Sequence, residues 1–225
     1  MSNIARIPLK DREFPDYTRK EEMLNMWSHI FGAVCALVMM WLVVRDTWGN
    51  PLAMVSCVVY VASVLLMLVV SAVYHGLPKG MPKQVMRVVD HCDIFFTIAG
   101  TYTPITLLGI CPINPVLGWS ILAVEWVLAI VGATLNAIDL KRFSKFSMAC
   151  YLGMGWCVVI SLKPVLQSLT WPGLLLMLAG GVAYTIGAVL YLVGKKKRYR
   201  HFIFHVFVVI AVVVQFVGIW KYLIM

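Results

Sequence analysis

His201 and His205 stand four residues apart in Arg198-Tyr-Arg-His201-Phe-Ile-Phe-His205, which opens the last apolar stretch of the chain. On an α-helix that spacing puts both imidazoles on one face, about one turn apart, so both can reach a single ion. They follow the basic run Lys195-Lys-Lys-Arg-Tyr-Arg200 and precede a long series of Val, Ile, Phe and Leu. An ionisable side chain at the rim of hydrocarbon is costly and marks a site. Two histidines are only half of a metal centre, because a catalytic zinc takes three protein ligands and a water.

Other residues with the right chemistry lie near the ends of apolar runs. Glu22, Asn25 and His29, at i, i+3 and i+7, share one helical stripe. They either support the ligands and line the access path, or form an interfacial helix start with a hydrogen-bonded histidine. Ser71 and His75 are again four apart, at the end of the second apolar run. Asp90, His91 and Asp93 crowd the opening of the third, in about its first turn, where a single carboxylate is enough to suit the helix dipole. Glu125 stands alone near the middle of the fourth run, and a neutral acid bonded to a neighbouring helix is the simpler reading of it.

The elements that must position these residues follow from composition. Of 225 residues, 61% are apolar and 13% charged. Runs of 18 or more apolar residues recur, each long enough for a bilayer core of roughly 30 Å. The expected fold is all-α: a polytopic membrane protein with seven transmembrane helices. They fall at about 26–44, 52–74, from near 88, 116–136, 146–162, 171–193, and from the histidine pair onward. Residues 1–25 read as a cytoplasmic tail without a cleavable signal peptide, and 26–225 as the membrane domain. The sixth run, with Ala179-Gly-Gly-Val-Ala183, has small-residue spacing suited to close helix packing. The cysteines at 35, 57, 92, 111, 150 and 157 form no CxxC pair and read as free thiols in or beside the spans, Cys111 excepted.

The net charge of +9 is not a nucleic-acid signal, because the basic residues sit in short loops. Sixteen of the 19 fall in the tail and in every second loop, whereas Arg45, Lys163 and Lys221 are alone on the other side. The positive-inside rule then sets the N-terminus in the cytoplasm and the C-terminus outside, which agrees with an odd number of crossings. On that topology His75, Asp90, the pair His201 and His205, and the stripe Glu22, Asn25 and His29 reach one depth, just inside the cytoplasmic boundary. Independent hydrogen-bonding histidines give no reason for a shared depth, and a metal does.

Taken together, Glu22-x-x-Asn25-x-x-x-His29, Ser71-x-x-x-His75, Val89-Asp90-His91-Cys92, Ile98-Ala-Gly-Thr-Tyr-Thr-Pro104, Tyr151-Leu-Gly-Met-Gly-Trp156 and His201-x-x-x-His205 resemble the bacterial hemolysin III family. That family is the prokaryotic branch of the progestin and adipoQ receptors, within a wider superfamily that includes ceramidases. The resemblance implies seven helices around a zinc held by His75, His201 and His205, with Asp90 holding a water and Ser71 nearby. Asp93 is the neighbouring carboxylate. Two departures from the family stand out: Gln215 where many members have a histidine, and Glu125 in a usually apolar span.

Two functional readings follow. In the first, an open zinc activates water for hydrolysis of a lipid amide or ester in the inner leaflet of the bacterial inner membrane, with Asp90 as base and Ser71 as oxyanion donor. In the second, zinc fixes the bundle of a non-catalytic protein of membrane homeostasis, signalling or cytolysis. A structural zinc is normally closed by a fourth protein ligand, and none is evident. Cytolysis by a released pore-former needs a soluble state, which this composition does not suggest.

Overall fold

The computed structural model describes residues 8–9, 12–193 and 197–225. The basic residues Arg6, Lys10, Lys195 and Lys196 lie outside the described residues, as does Gly194. Among the described residues six long helices follow one another: α1 Arg19–Asp46, α2 Pro51–Gly76, α3 Met81–Pro104, α4 Pro115–Gly155, α5 Leu162–Val193 and α6 Arg200–Ile219. A π-helical turn, Ile105–Ile110, extends α3, and another, Trp220–Ile224, extends α6. A 3-10 segment, Cys157–Ser161, joins α4 to α5. No strand occurs among the described residues.

Local chemistry explains where the helices start. Thr18 caps α1: its hydroxyl accepts from the Glu21 N–H at 3.2 Å, and the Glu21 carboxylate accepts from the Thr18 N–H at 2.9 Å. This reciprocal capping box sets the start at Arg19, one residue into the charged stretch and seven before the apolar run. Asn50-Pro51 and Asn114-Pro115 repeat one device at α2 and α4, an asparagine cap followed by a proline that needs no N–H.

The third helix departs from expectation. It begins at Met81, with Pro82 in its first turn, and not near residue 88. Pro82 is therefore a helix starter. Asp90, His91 and Asp93 accordingly sit in the third turn or beyond, where capping no longer accounts for them.

Among the described residues, five helical runs are long and apolar enough to cross a bilayer: Arg19–Asp46, Pro51–Gly76, Met81–Ile110, Pro115–Val193 and Arg200–Ile224. The chain is a membrane protein. The fourth run counts 79 residues and would be about 120 Å long if straight. It is not straight. Asp139 is extended (φ −160°, ψ 102°), and its carboxylate accepts from the N–H groups of Lys141 at 3.0 Å and Arg142 at 3.1 Å, which caps a fresh helix. Thr170, just before Trp171-Pro172, has φ 60° and ψ 173°. The 3-10 segment lies between these two breaks.

Large apolar side chains face both ways. Tyr60, Leu68, Phe95, Ile105 and Leu169 are buried, whereas Phe31, Trp41, Val55, Trp119 and Ile160 are exposed, as a lipid-facing surface requires. At the end of the bundle that holds His91, a buried polar network ties α3 to both arms of α4. Tyr151 donates to the His91 carbonyl at 2.6 Å, Asn136 donates to the same carbonyl at 3.2 Å, and Ser147 donates to Asn136 at 2.6 Å. All six cysteines are free, Cys57 fully buried and the rest partly so.

Close approach depends on glycine at several points, Gly180 and Gly132 among them. A Cβ on Gly180 of α5 would collide with Gln215 of α6, so the small-residue spacing of the sixth run does serve packing. A Cβ on Gly132 of α4 would collide with the buried ring of Phe95 on α3. Gly132→Leu is therefore expected to lower stability by about 1–3 kcal/mol. Gly153→Ala, where a Cβ meets nothing within 4 Å, should stabilise by up to about 1 kcal/mol. Unfolding of both variants in detergent checks the pair, and equal effects would contradict the packing described.

Candidate metal centre

His75 ends α2, and His201 and His205 open α6. Their ligand atoms all lie within 4.8 Å of one another. The His201 Nε2 is 3.2 Å from the His75 Nε2 and 3.0 Å from the His205 Nε2. Tetrahedral zinc with Zn–N bonds of about 2.05 Å separates its ligand nitrogens by about 3.3 Å. The three imidazoles are thus close enough to bind a metal without moving their backbones.

The far side of each ring shows why these nitrogens face inward. His75 Nδ1 lies 2.6 Å from the Glu22 carboxylate, to which it donates. His205 Nδ1 donates to the Asn25 carbonyl at 3.2 Å, and Ser28, which donates to the same carbonyl at 2.8 Å, sits 3.4 Å from that nitrogen. With both Nδ1 atoms protonated, the Nε2 atoms of His75 and His205 present lone pairs to a common point. The one proton available on the His201 Nε2 cannot satisfy both lone pairs, whereas a cation can. This donor set fits a borderline-soft divalent ion such as zinc.

The stripe on α1 packs against the histidines. Asn25 is 0% exposed and bridges two of the histidines, its carbonyl to His205 and its amide 3.4 Å from the His75 Nδ1. His29, 3% exposed, stacks flat on His205, with ring centroids 3.8 Å apart and planes 11° from parallel. Neither His29 nitrogen has a hydrogen-bond partner among the described residues, so His29 acts as a buttress and not as a member of the close set.

Asp90 and Ser71 are not brought into contact with the three histidines by any hydrogen bond or ion pair among the described residues. The Asp90 carboxylate lies 3.5 Å from His91 Nδ1, which donates to the Arg87 carbonyl at 2.8 Å. Ser71 is buried on α2, one turn before His75. Asp93 is buried, with one carboxylate oxygen lacking a partner among the described residues. Glu125 is buried beside Cys157, and Gln215 lies about 15 Å along α6 from His205.

Three contributors were not found by spacing. Ser28 adds a hydroxyl behind His205. Tyr17 stacks on His201 at 5.0 Å with planes 17° apart, and burial raises its hydroxyl above the ordinary range. Lys83, 2% exposed, pairs with Glu22 at 3.0 Å and donates to the carbonyls of Tyr74, His75 and Leu77, closing the end of α2. Its place in the first turn of α3 is invisible while the third run is read as starting near residue 88.

The family model described as Haemolysin-III related matches residues 17–216, a span from Tyr17 through every residue of this centre. The chain belongs to the haemolysin III family. It is 35% identical to Hemolysin-3 of Bacillus cereus over 191 residues, covering 84% of this chain and 85% of that protein. Similarity to the Hemolysin-3 homolog of Bacillus subtilis (strain 168) is also 35%, over 195 residues, with coverages of 85% and 89%. The human Monocyte to macrophage differentiation factor is 27% identical over 229 residues, covering 97% of this chain and 90% of that one.

In this haemolysin III protein Glu22 carries two duties, fixing His75 and neutralising a buried ammonium. Removing one partner of such a pair strands the other charge. Glu22→Ala is expected to destabilise by about 3 kcal/mol, the lower end for a buried pair, because the Glu22 side chain keeps 19% exposure. The double variant Glu22→Gln with Lys83→Met should recover most of that loss. Chemical unfolding in detergent distinguishes the two, and a double variant no more stable than Glu22→Ala would count against the pairing.

Proposed function

We propose that this haemolysin III protein is a seven-helix membrane protein that holds zinc through His75, His201 and His205 and hydrolyses a lipid amide or ester bond. The observation that carries the reading is the convergence of three Nε2 atoms whose companion Nδ1 atoms, at His75 and His205, are tied to acceptors. The seven-helix count is supported by the breaks at Asp139 and Thr170, which divide the run Pro115–Val193 into three lengths beside four other runs. The distribution of lysine and arginine supports a cytoplasmic N-terminus and an outer C-terminus; residence in the bacterial inner membrane is part of the same proposal.

A zinc ion with one open position supplies Lewis acidity and an activated water. The protein's own groups do the rest. Asp90, entering from α3 at the same depth, is the group proposed to take and return a proton. Ser71 donates its hydroxyl to the acyl oxygen as charge develops there. A site just inside the cytoplasmic boundary meets acyl linkages of inner-leaflet lipids, so a lipid is the substrate class and no nucleic acid is involved.

A second reading, a non-catalytic protein in which zinc braces the bundle, is favoured by one observation: Asp90 pairs with His91 and reaches none of the three histidines directly. Zinc analysis and lipid hydrolysis on one preparation separate the readings. Wild type should carry zinc near one per chain, and His75→Ala, His201→Ala and His205→Ala should each lose it. Asp90→Asn should keep zinc and fold but lose about 100-fold or more in turnover on a lipid amide. No zinc-dependent hydrolysis by wild type across ceramide, acyl amide and ester panels would leave the brace. Loss of zinc in His29→Ala but not in His75→Ala would overturn the ligand set.

Topology is checked separately. A reporter fused after Met225 is expected to behave as extracytoplasmic, and one inserted at Lys197 as cytoplasmic. A cytoplasmic C-terminal reporter would sink the seven-crossing arrangement.

A further inference from the structure

The segment leading into α1 does not hang free below the bundle. Residues 12–18 run beneath the histidine cluster, with ties to α3, to α4 and to the segment before α6. Gln84 of α3 donates to the Arg12 carbonyl, and Arg12 donates to the Ile138 carbonyl of α4 at 3.3 Å. Arg87 of α3 donates to the Glu13 carbonyl at 2.8 Å. Arg198, just before α6, donates to the Asp16 carbonyl at 3.1 Å and approaches its carboxylate at 3.7 Å. The far end is anchored where Glu21 accepts from Arg198 at 3.1 Å and from the Tyr199 N–H at 2.7 Å.

Between the last two anchors stands Tyr17. Its ring lies 5.0 Å from His201 in a stacked arrangement and 6.0 Å from His75 in a tilted one, so one side chain covers two of the three histidines. Tyr191 and Phe204 flank His201 at 5.5 and 5.7 Å. The ties at Glu13 and Asp16 are exposed and therefore individually weak, unlike the buried bonds that hold the histidines themselves. Most go to main-chain carbonyls, so the strap is held by its path more than by its side chains. Tyr17 is the exception, because it touches the centre.

We propose that residues 12–18 form a releasable strap that closes the histidine centre towards the cytoplasm, with Tyr17 as its plug, and so control exchange of the ion and access of water. The ion's part in this rests on the metal reading above; the closure does not. With the strap in place the aqueous route is shut, and a lipid reaches the centre from the side of the bundle. Release of the strap opens a second, polar route used for loading and unloading the metal.

The test uses the full chain in nanodiscs as wild type, Tyr17→Ala and Tyr17→Phe, with helix content followed by circular dichroism. Zinc-stripped protein is treated with diethyl pyrocarbonate, and carbethoxylation of His201 is timed by peptide mass spectrometry. His201 should react at least about tenfold faster in Tyr17→Ala than in wild type, and Tyr17→Phe, which keeps the ring, should stay protected. Zinc-loaded protein mixed with excess chelator should release its bound ion correspondingly faster in Tyr17→Ala. Equal His201 labelling in wild type and Tyr17→Ala overturns the strap, as does full loss of protection in Tyr17→Phe. Failure of wild type to hold zinc overturns the metal reading alone, since the labelling still decides the closure.

Discussion

The first helix supplies hydrogen-bond acceptors to the imidazole N–H groups of both neighbouring elements. Glu22 takes the proton of His75 from α2, and the Asn25 carbonyl takes that of His205 from α6. These two bonds decide which nitrogen of each ring faces the common point, and with it whether a cation is welcome there. Glu22 in turn carries Lys83, so α1, α2 and α3 meet at one carboxylate. The paired charges are tolerable at this depth because the ammonium also satisfies three carbonyls at the end of α2, where the helix dipole favours a cation.

Much of this was legible from spacing. Residues at i and i+4 share a helix face, so His201 with His205 and Ser71 with His75 could be paired before any fold was known, and the stripe Glu22, Asn25, His29 followed from the same geometry. The apolar runs announced a helical membrane protein. Helix starts were less legible, because hydrophobicity marks where a helix enters hydrocarbon and not where it begins. The capping box at Thr18 and the proline at position 82 both lie in polar sequence that a hydropathy reading assigns to loops. Lys83 was lost for that reason.

Contacts between distant segments were the other illegible class. Nothing in the spacing of Asp90 says that its carboxylate turns to the adjacent His91. The flat stacking of His29 on His205 likewise depends on how α1 and α6 cross. Tyr17 sits in a stretch rich in charge and proline, with no periodicity to link it to a histidine almost two hundred positions away. The breaks at Asp139 and Thr170 fall near the ends of expected spans, yet their form, an extended aspartate that caps a new helix and a threonine with positive φ, is visible only in the backbone.

The order of the elements along the chain has a consequence for how the protein is made. Two of the three converging histidines belong to α6, which follows every other long helix, and Arg198 and Tyr199 just before it complete the anchor on Glu21. Of the three converging histidines, the helices made earlier carry only His75. The close set is complete only once α6 has docked against α1 and α2. Docking of α6 against α1 would then be the step that gathers the three imidazoles, so late pairing of sequence-distant helices, and not any one helix alone, creates the cluster.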